Sequence, residues 1–137
     1  MREPEGRVDV TTGFGDRVSL EIAARAELAR TARAGHVLSI VVIRLVDADD
    51  VVVRDGSISL ALRGSVRASD LLFRSDVDTI VALLPTTEAL GVSKVMQRVA
   101  RLADRPFSYA VATAPVDGRH LDSLLDEASR RTEHVTF

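Results

Sequence analysis

Residues 71–85 read Leu71-Leu72-Phe73-Arg74-Ser75-Asp76-Val77-Asp78-Thr79-Ile80-Val81-Ala82-Leu83-Leu84-Pro85. Two apolar runs, 71–73 and 79–84, flank a short stretch in which Arg74, Ser75, Asp76 and Asp78 are polar. Short apolar runs with β-branched residues read as strands, and a connection this brief between two of them suits a hairpin. Pro85 closes the second strand because it has no amide to donate to a ladder.

Helical and extended segments alternate around this hairpin. Asp16 is a suitable N-cap for a helix over residues 17–34, rich in Ala, Leu, Glu and Arg, with Gly35 as its stop. Its apolar positions are Val18, Ile22, Leu28, Ala29 and Ala32. Residues 37–46 (VLSIVVIRLV) are nearly continuous in apolar character, as a central strand buried on both faces requires. The acidic stretch 47–55 has no clear assignment, and residues 57–66 fit a short helix.

Beyond the hairpin, residues 86–102 read as a helix capped by Thr86 or Thr87, with Leu90, Val92, Val95, Met96, Val99 and Leu102 inward. Residues 107–113 alternate as a strand, 115–118 form a turn, and 121–131 form a last helix with Leu121, Leu124, Leu125 and Ala128 on one face. This order predicts an α+β sandwich, a mixed and mostly antiparallel sheet with helices on its faces. Residues 1–8 are expected to be a loose tail and 9–137 the domain proper.

Composition narrows the chemistry. The 137 residues suffice for one domain, with 46% apolar and 28% charged residues in the balance of a water-soluble fold. There is no cysteine, which excludes disulfide scaffolds, thiolate catalysis and Cys-ligated zinc. A net charge of -2 and 4% aromatics offer neither a basic field nor stacking platforms for nucleic acid. No signal-peptide core or membrane-spanning apolar run is visible, so a cytoplasmic protein is expected. His36, His120 and His134 share no metal-ligand spacing, and no metal or other cofactor is expected from them. Lys94 is the only lysine among 18 basic residues, so the cationic groups are almost all guanidinium forks.

Residues 74–85 resemble the signature hairpin of GGDEF domains, the diguanylate cyclase family, in which Arg-x-Gly-Gly-Asp/Glu-Glu-Phe leads into a hydrophobic strand and a proline. Asp9-Val10-Thr11-Thr12-Gly13-Phe14-Gly15-Asp16-Arg17 is similar to the family's opening motif, Asp-x-Leu-Thr-Gly-Leu-x-Asn-Arg. Ser108-Tyr109-Ala110-Val111-Ala112 with the turn 115–118 resembles its Ser-x-Gly-x-Ala strand, and Leu124-Leu125-Asp126-Glu127-Ala128-Ser129 its closing helix. The resemblance covers residues 9–131 and implies a palm-like, ferredoxin-like sandwich shared with nucleotide cyclases.

The same resemblance implies that cyclase chemistry is absent. The family holds divalent metal between a carboxylate at the end of the first strand and one in the signature. The first position falls on Arg44, whose guanidinium repels a cation, while Asp78 occupies the second. Asp76 and Val77 replace the two glycines that let the nucleotide approach backbone, Thr79 replaces the glutamate, and the chain has no asparagine to read guanine.

A second family site, an Arg-x-x-Asp pair before the signature, binds cyclic di-GMP. Arg67-Ala68-Ser69-Asp70 has the matching spacing, and Arg98 falls where the family places a further arginine. An arginine fork can bond guanine O6 and N7, and an aspartate can accept from N1 and N2. The alternative for Arg67, Asp70 and Arg98 is a helix-end and turn salt bridge with no ligand. The resemblance therefore implies a non-catalytic receptor of cyclic di-GMP that signals to an unknown protein partner. The other reading is a ligand-free interaction module, such as a homodimer.

Overall fold

The computed structural model describes residues 6–9, 12–45, 57–103, 106–131 and 133–135. The chain runs α1 (Arg17–Ala34), β1 (Leu38–Leu45), α2 (Ser57–Ser65), β2 (Leu71–Asp76), β3 (Thr79–Pro85), α3 (Ala89–Leu102), β4 (Phe107–Ala114), α4 (Leu121–Ser129) and β5 (Glu133–Val135). The acidic stretch 47–55 lies outside the described residues.

The five strands form one sheet in the order β2-β3-β1-β4-β5. All of these strand pairs are antiparallel, so the expected mixed sheet is corrected: the only parallel pairing described is the isolated bridge between Gly15 and Phe73. β1 is central, as its apolar run required, and Ile43 is paired with Ile80 on one side and Tyr109 on the other. Alternation then makes two cores. Val41, Ile43 and Leu45 face Ile58 and Leu62 of α2 and Val92, Met96 and Val99 of α3. Leu38, Ile40 and Val42 face Leu20 and Ala24 of α1 and Leu124 and Ala128 of α4. Both faces of the sheet are thus covered, as an α+β sandwich requires.

α1 starts and stops where its caps direct. The Asp16 side chain accepts from the Ser19 amide, and Gly35 takes a left-handed conformation (φ 68°) that glycine adopts without a Cβ clash. Its buried stripe is Leu20, Ala24, Glu27 and Thr31, not the expected set; Ile22 is 51% exposed, and Ala29 and Ala32 lie on the surface. Alanine on several faces leaves the helix little intrinsic preference, so packing on the sheet chooses the face.

α3 begins at Ala89 rather than at residue 86, because neither threonine is free to cap it. Thr86 has φ 59° and bonds the Pro85 carbonyl with its hydroxyl, while the Thr87 hydroxyl accepts from Arg67. Leu90 and Leu102, expected inward, are exposed at opposite ends of the helix. α4 ends at Ser129, and Arg131 turns back to bond Asp117 through two contacts of 2.9 Å. β5, only three residues long, carries too little pattern to be read from the sequence.

Described residues before α1 are tied to the hairpin. Val8 bridges to Gly15, and Gly15 in turn bonds β2 through its amide to the Leu72 carbonyl and its carbonyl to the Arg74 amide. Asp9 accepts from the Thr12 amide (2.8 Å) and hydroxyl (2.7 Å), and its other oxygen meets Arg74 Nη1 at 3.1 Å. Partial burial works to raise the Asp9 pKa, but the Thr12 hydrogen bonds and the Arg74 charge outweigh it and hold it below its ordinary value.

Two outcomes follow for stability. A Cβ at Gly15 would lie 2.7 Å from a Phe73 ring carbon and 3.0 Å from the Ser19 Cβ. Gly15→Ala should lower the urea unfolding free energy by about 1–3 kcal/mol. A depressed folded-state pKa adds stability above the ordinary carboxylate range, which is lost as pH falls below about 4. Arg74→Ala should remove part of that acid-side dependence, measured as a flatter stability profile between about pH 2 and 5.

Candidate functional site

β1 carries its residues to a polar pocket at the hairpin end of the sheet. Arg44 is the last residue of the Leu38–Ile40–Val42 face, opposite Thr79 on β3 and Ser108 on β4. It is exposed, and it lines a pocket of about 330 Å³ together with Arg17 of α1, Asp76, Asp78 and Thr79 of the hairpin, and Ser129 of α4. The pocket therefore takes residues from both helices on that face. Ser75 forms an irregularity in the β2–β3 ladder, between Arg74 and Asp76.

The two carboxylates are engaged locally. Asp76 Oδ1 accepts from the Val77 amide at 2.7 Å, and Asp78 Oδ1 accepts from the Thr79 hydroxyl at 2.8 Å. Val77 stands 48% exposed at the tip of the turn, a bulk that glycine would not bring. Among the described residues no group of three or more His, Cys, Asp or Glu side chains is placed to hold a metal ion. The exposed Arg44 guanidinium shares this small pocket with the two carboxylates and opposes the field that a divalent cation needs. The donor set does not suit a metal that is to be clamped between two carboxylates.

The sequence left Arg17 unassigned although it closes the opening motif. Its reach into the hairpin pocket depends on how α1 crosses β2 and β3, which no local pattern records.

Arg67, Asp70 and Arg98 come together at a different corner, where α2 ends. Asp70 closes a turn on Arg67: its amide donates to the Arg67 carbonyl at 3.0 Å, and its Oδ2 accepts from the Arg67 amide at 2.7 Å. The Asp70 side chain is 1% exposed and that of Arg67 55%. The Arg67 guanidinium reaches the Pro85 carbonyl at 2.7 Å and the Thr87 hydroxyl at 2.6 Å, with a longer contact of 3.5 Å to Asp70 Oδ1. Arg98 of α3 donates to the Ser65 carbonyl at 2.8 Å, completing the C-terminus of α2 with a positive charge. Two arginines thus lie near one helix end, Arg98 on the Ser65 carbonyl and Arg67 two residues further along the chain, while the Asp70 carboxylate is buried. Ser65 and Thr87, which position the two arginines, carry no signal in the sequence.

No family model matches the sequence, and no curated protein matches it. Solved structures do. The GGDEF domain of TpbB (YfiN) from Pseudomonas aeruginosa matches with a TM-score of 0.78 at 19% identity, over 90% of this chain and 84% of that one. The FimX GGDEF domain from the same organism gives 0.78 at 14% identity, over 90% of each chain. The GGDEF domain of DgcB from Caulobacter crescentus, solved in complex with c-di-GMP, gives 0.78 at 13% identity over 95% of this chain and 87% of that one. The chain has the GGDEF-domain fold, as its hairpin indicated.

An exchange at residue 44 tests the pocket. The Arg44→Asp variant should gain binding of Mn²⁺ or Tb³⁺, read by calorimetry or luminescence, where the native chain shows none at the same concentrations. Equal binding by both proteins would mean that Arg44 does not govern the cation.

Proposed function

We propose that this chain is a non-catalytic GGDEF-fold signalling domain of the cytoplasm that binds cyclic di-GMP at the end of α2. The observation that carries the non-catalytic part is the Arg44 guanidinium in the pocket with Asp76 and Asp78. Phosphoryl and nucleotidyl transfer need a metal clamp on the phosphates, and in this reading Arg44 stands at the position where the family resemblance implies one of the clamping carboxylates.

For binding, the support is the pair of guanidiniums around the α2 C-terminus, one of them half-exposed. Arg67 would read a guanine edge and Arg98 would offset a phosphate of the ligand. Asp70 serves this site by holding the Arg67 turn, since its carboxylate is committed to the Arg67 amide. A guanine that also contacted Asp70 would have to open that turn. The DgcB domain solved in complex with c-di-GMP is consistent with the reading.

A second reading is a ligand-free interaction module. It draws on the same corner: Arg67 is already bonded to Pro85 and Thr87, and Asp70 is buried, as in a purely structural turn. No helix among the described residues is long and apolar enough to cross a membrane.

Calorimetric titration with cyclic di-GMP separates the two. The expected result is saturable binding, weakened at least tenfold in Arg67→Ala and in Arg98→Ala, each losing a charge-assisted bond of about 1.5–3 kcal/mol. At one hundred times the dissociation constant the ligand should also add about 2.7 kcal/mol to folding stability. Absence of heat at tens of micromolar with an unchanged melting temperature would leave the interaction module. Formation of cyclic di-GMP from GTP with Mg²⁺ or Mn²⁺ would overturn the non-catalytic assignment.

A further inference from the structure

α1 and α4 lie on the same face of the sheet, α1 against β2 and β3 and α4 mainly against β4 and β1. At the end of that face away from the hairpin, the space between α1 and the approach to α4 is open. α1 presents Leu28, Ala29 and Ala32 there, and single methyl groups cannot span the gap. Two adjoining cavities result, of about 660 and 390 Å³, which share Leu28, Ala32 and Arg119. Each lies within the usual size range of small-molecule sites.

The smaller cavity has an apolar lining from Leu28, Val37, Ala114 and Pro115, with His36 and Arg119 as its charged or titratable groups. Arg25 and His120 line the larger one, where the carboxylates are Glu21 and Asp122. Glu21 is already paired with Arg17 at 3.2 Å. The side chains of Arg25 and Arg119 make no ion pair or hydrogen bond with another described residue. An apolar cavity with an unpartnered guanidinium at its mouth is complementary to a ligand with an apolar body and one anionic head. A planar guanidinium fork matches a carboxylate, and Asp122 nearby opposes a dianion.

We propose that this cleft is a binding site for an amphiphilic monocarboxylate. The apolar body lies on Leu28, Ala32, Val37 and Pro115, and the carboxylate engages Arg119 with His36 at the rim. None of Arg67, Asp70 and Arg98 lines either cavity, so the proposal is tested separately from cyclic di-GMP binding.

The test is titration of the whole chain with decanoate below its aggregation threshold, followed by amide NMR. Saturable shifts are expected in residues 28–37 and 114–121. Arg119→Gln should weaken binding about tenfold or more, the loss of one charged hydrogen bond. Ala32→Phe, at a surface position that tolerates size, should abolish binding by filling the cleft while leaving the melting temperature unchanged. Decanol should bind markedly less tightly than decanoate. Four results would overturn the proposal: no saturation at millimolar decanoate, equal affinity for decanol, tighter binding of decyl phosphate, or affinity unaffected by both substitutions.

Discussion

The register of β1 is the constraint on which the rest of the molecule depends. Leu38–Leu45 is flanked by β3 and β4 and covered on both faces, so each residue has one allowed side. A slip by one position would exchange the Val41–Ile43–Leu45 set with the Leu38–Ile40–Val42 set and place every side chain in the wrong core. The two sets are not equivalent. On the second face, β4 contributes Ala110, Ala112 and Ala114, whose small side chains bring α4 close, while the first face meets Phe107 and Tyr109. Arg44 inherits its position from this register: it continues the alanine-rich face past the edge of the core, where its guanidinium enters the hairpin pocket.

A second set of contacts holds the hairpin to the beginning of the chain. Asp9 shapes the turn through Thr12 and reaches Arg74, and Gly15 lies against β2 closely enough that Phe73 leaves no room for a methyl. The start of α1 is thereby fixed beside the hairpin, which is why Arg17 can share a pocket with Asp76 and Asp78. The pocket is thus built by four segments far apart in sequence: the start of α1, the end of β1, the hairpin and the end of α4.

Elements with strong local physics were legible in the sequence. The Asp16 cap, the Gly35 stop, the continuous apolar run of β1 and the short polar turn before Thr79 each specify conformation by sterics or hydrogen bonding within a few residues. Legibility failed where several faces of a helix were chemically alike. In α1, Glu27 and Thr31 are buried while Ile22, Ala29 and Ala32 are not, because the sheet selects the face and the Glu27 carboxylate still reaches Arg30 at 2.9 Å. It failed again at Thr86 and Thr87, whose hydroxyls serve the Pro85 carbonyl and Arg67 instead of the helix.

The candidate site shows the same division. Residue type and spacing alone determined that Arg44 stands at the end of a central strand, that Asp78 sits in a hairpin, and that Arg67 and Asp70 are three residues apart with Arg98 on a later helix. Only the tertiary structure decided what these groups face. It turned Asp70 into the interior, set one Arg67 nitrogen, Nη2, on both the Pro85 carbonyl and the Thr87 hydroxyl, and set Arg98 on the Ser65 carbonyl. It also opened the cleft beside Arg119, where no motif marked one. The reason is physical: strand and turn propensities act over a few residues, whereas the partner of a long side chain depends on how separate helices settle on the two faces of one sheet.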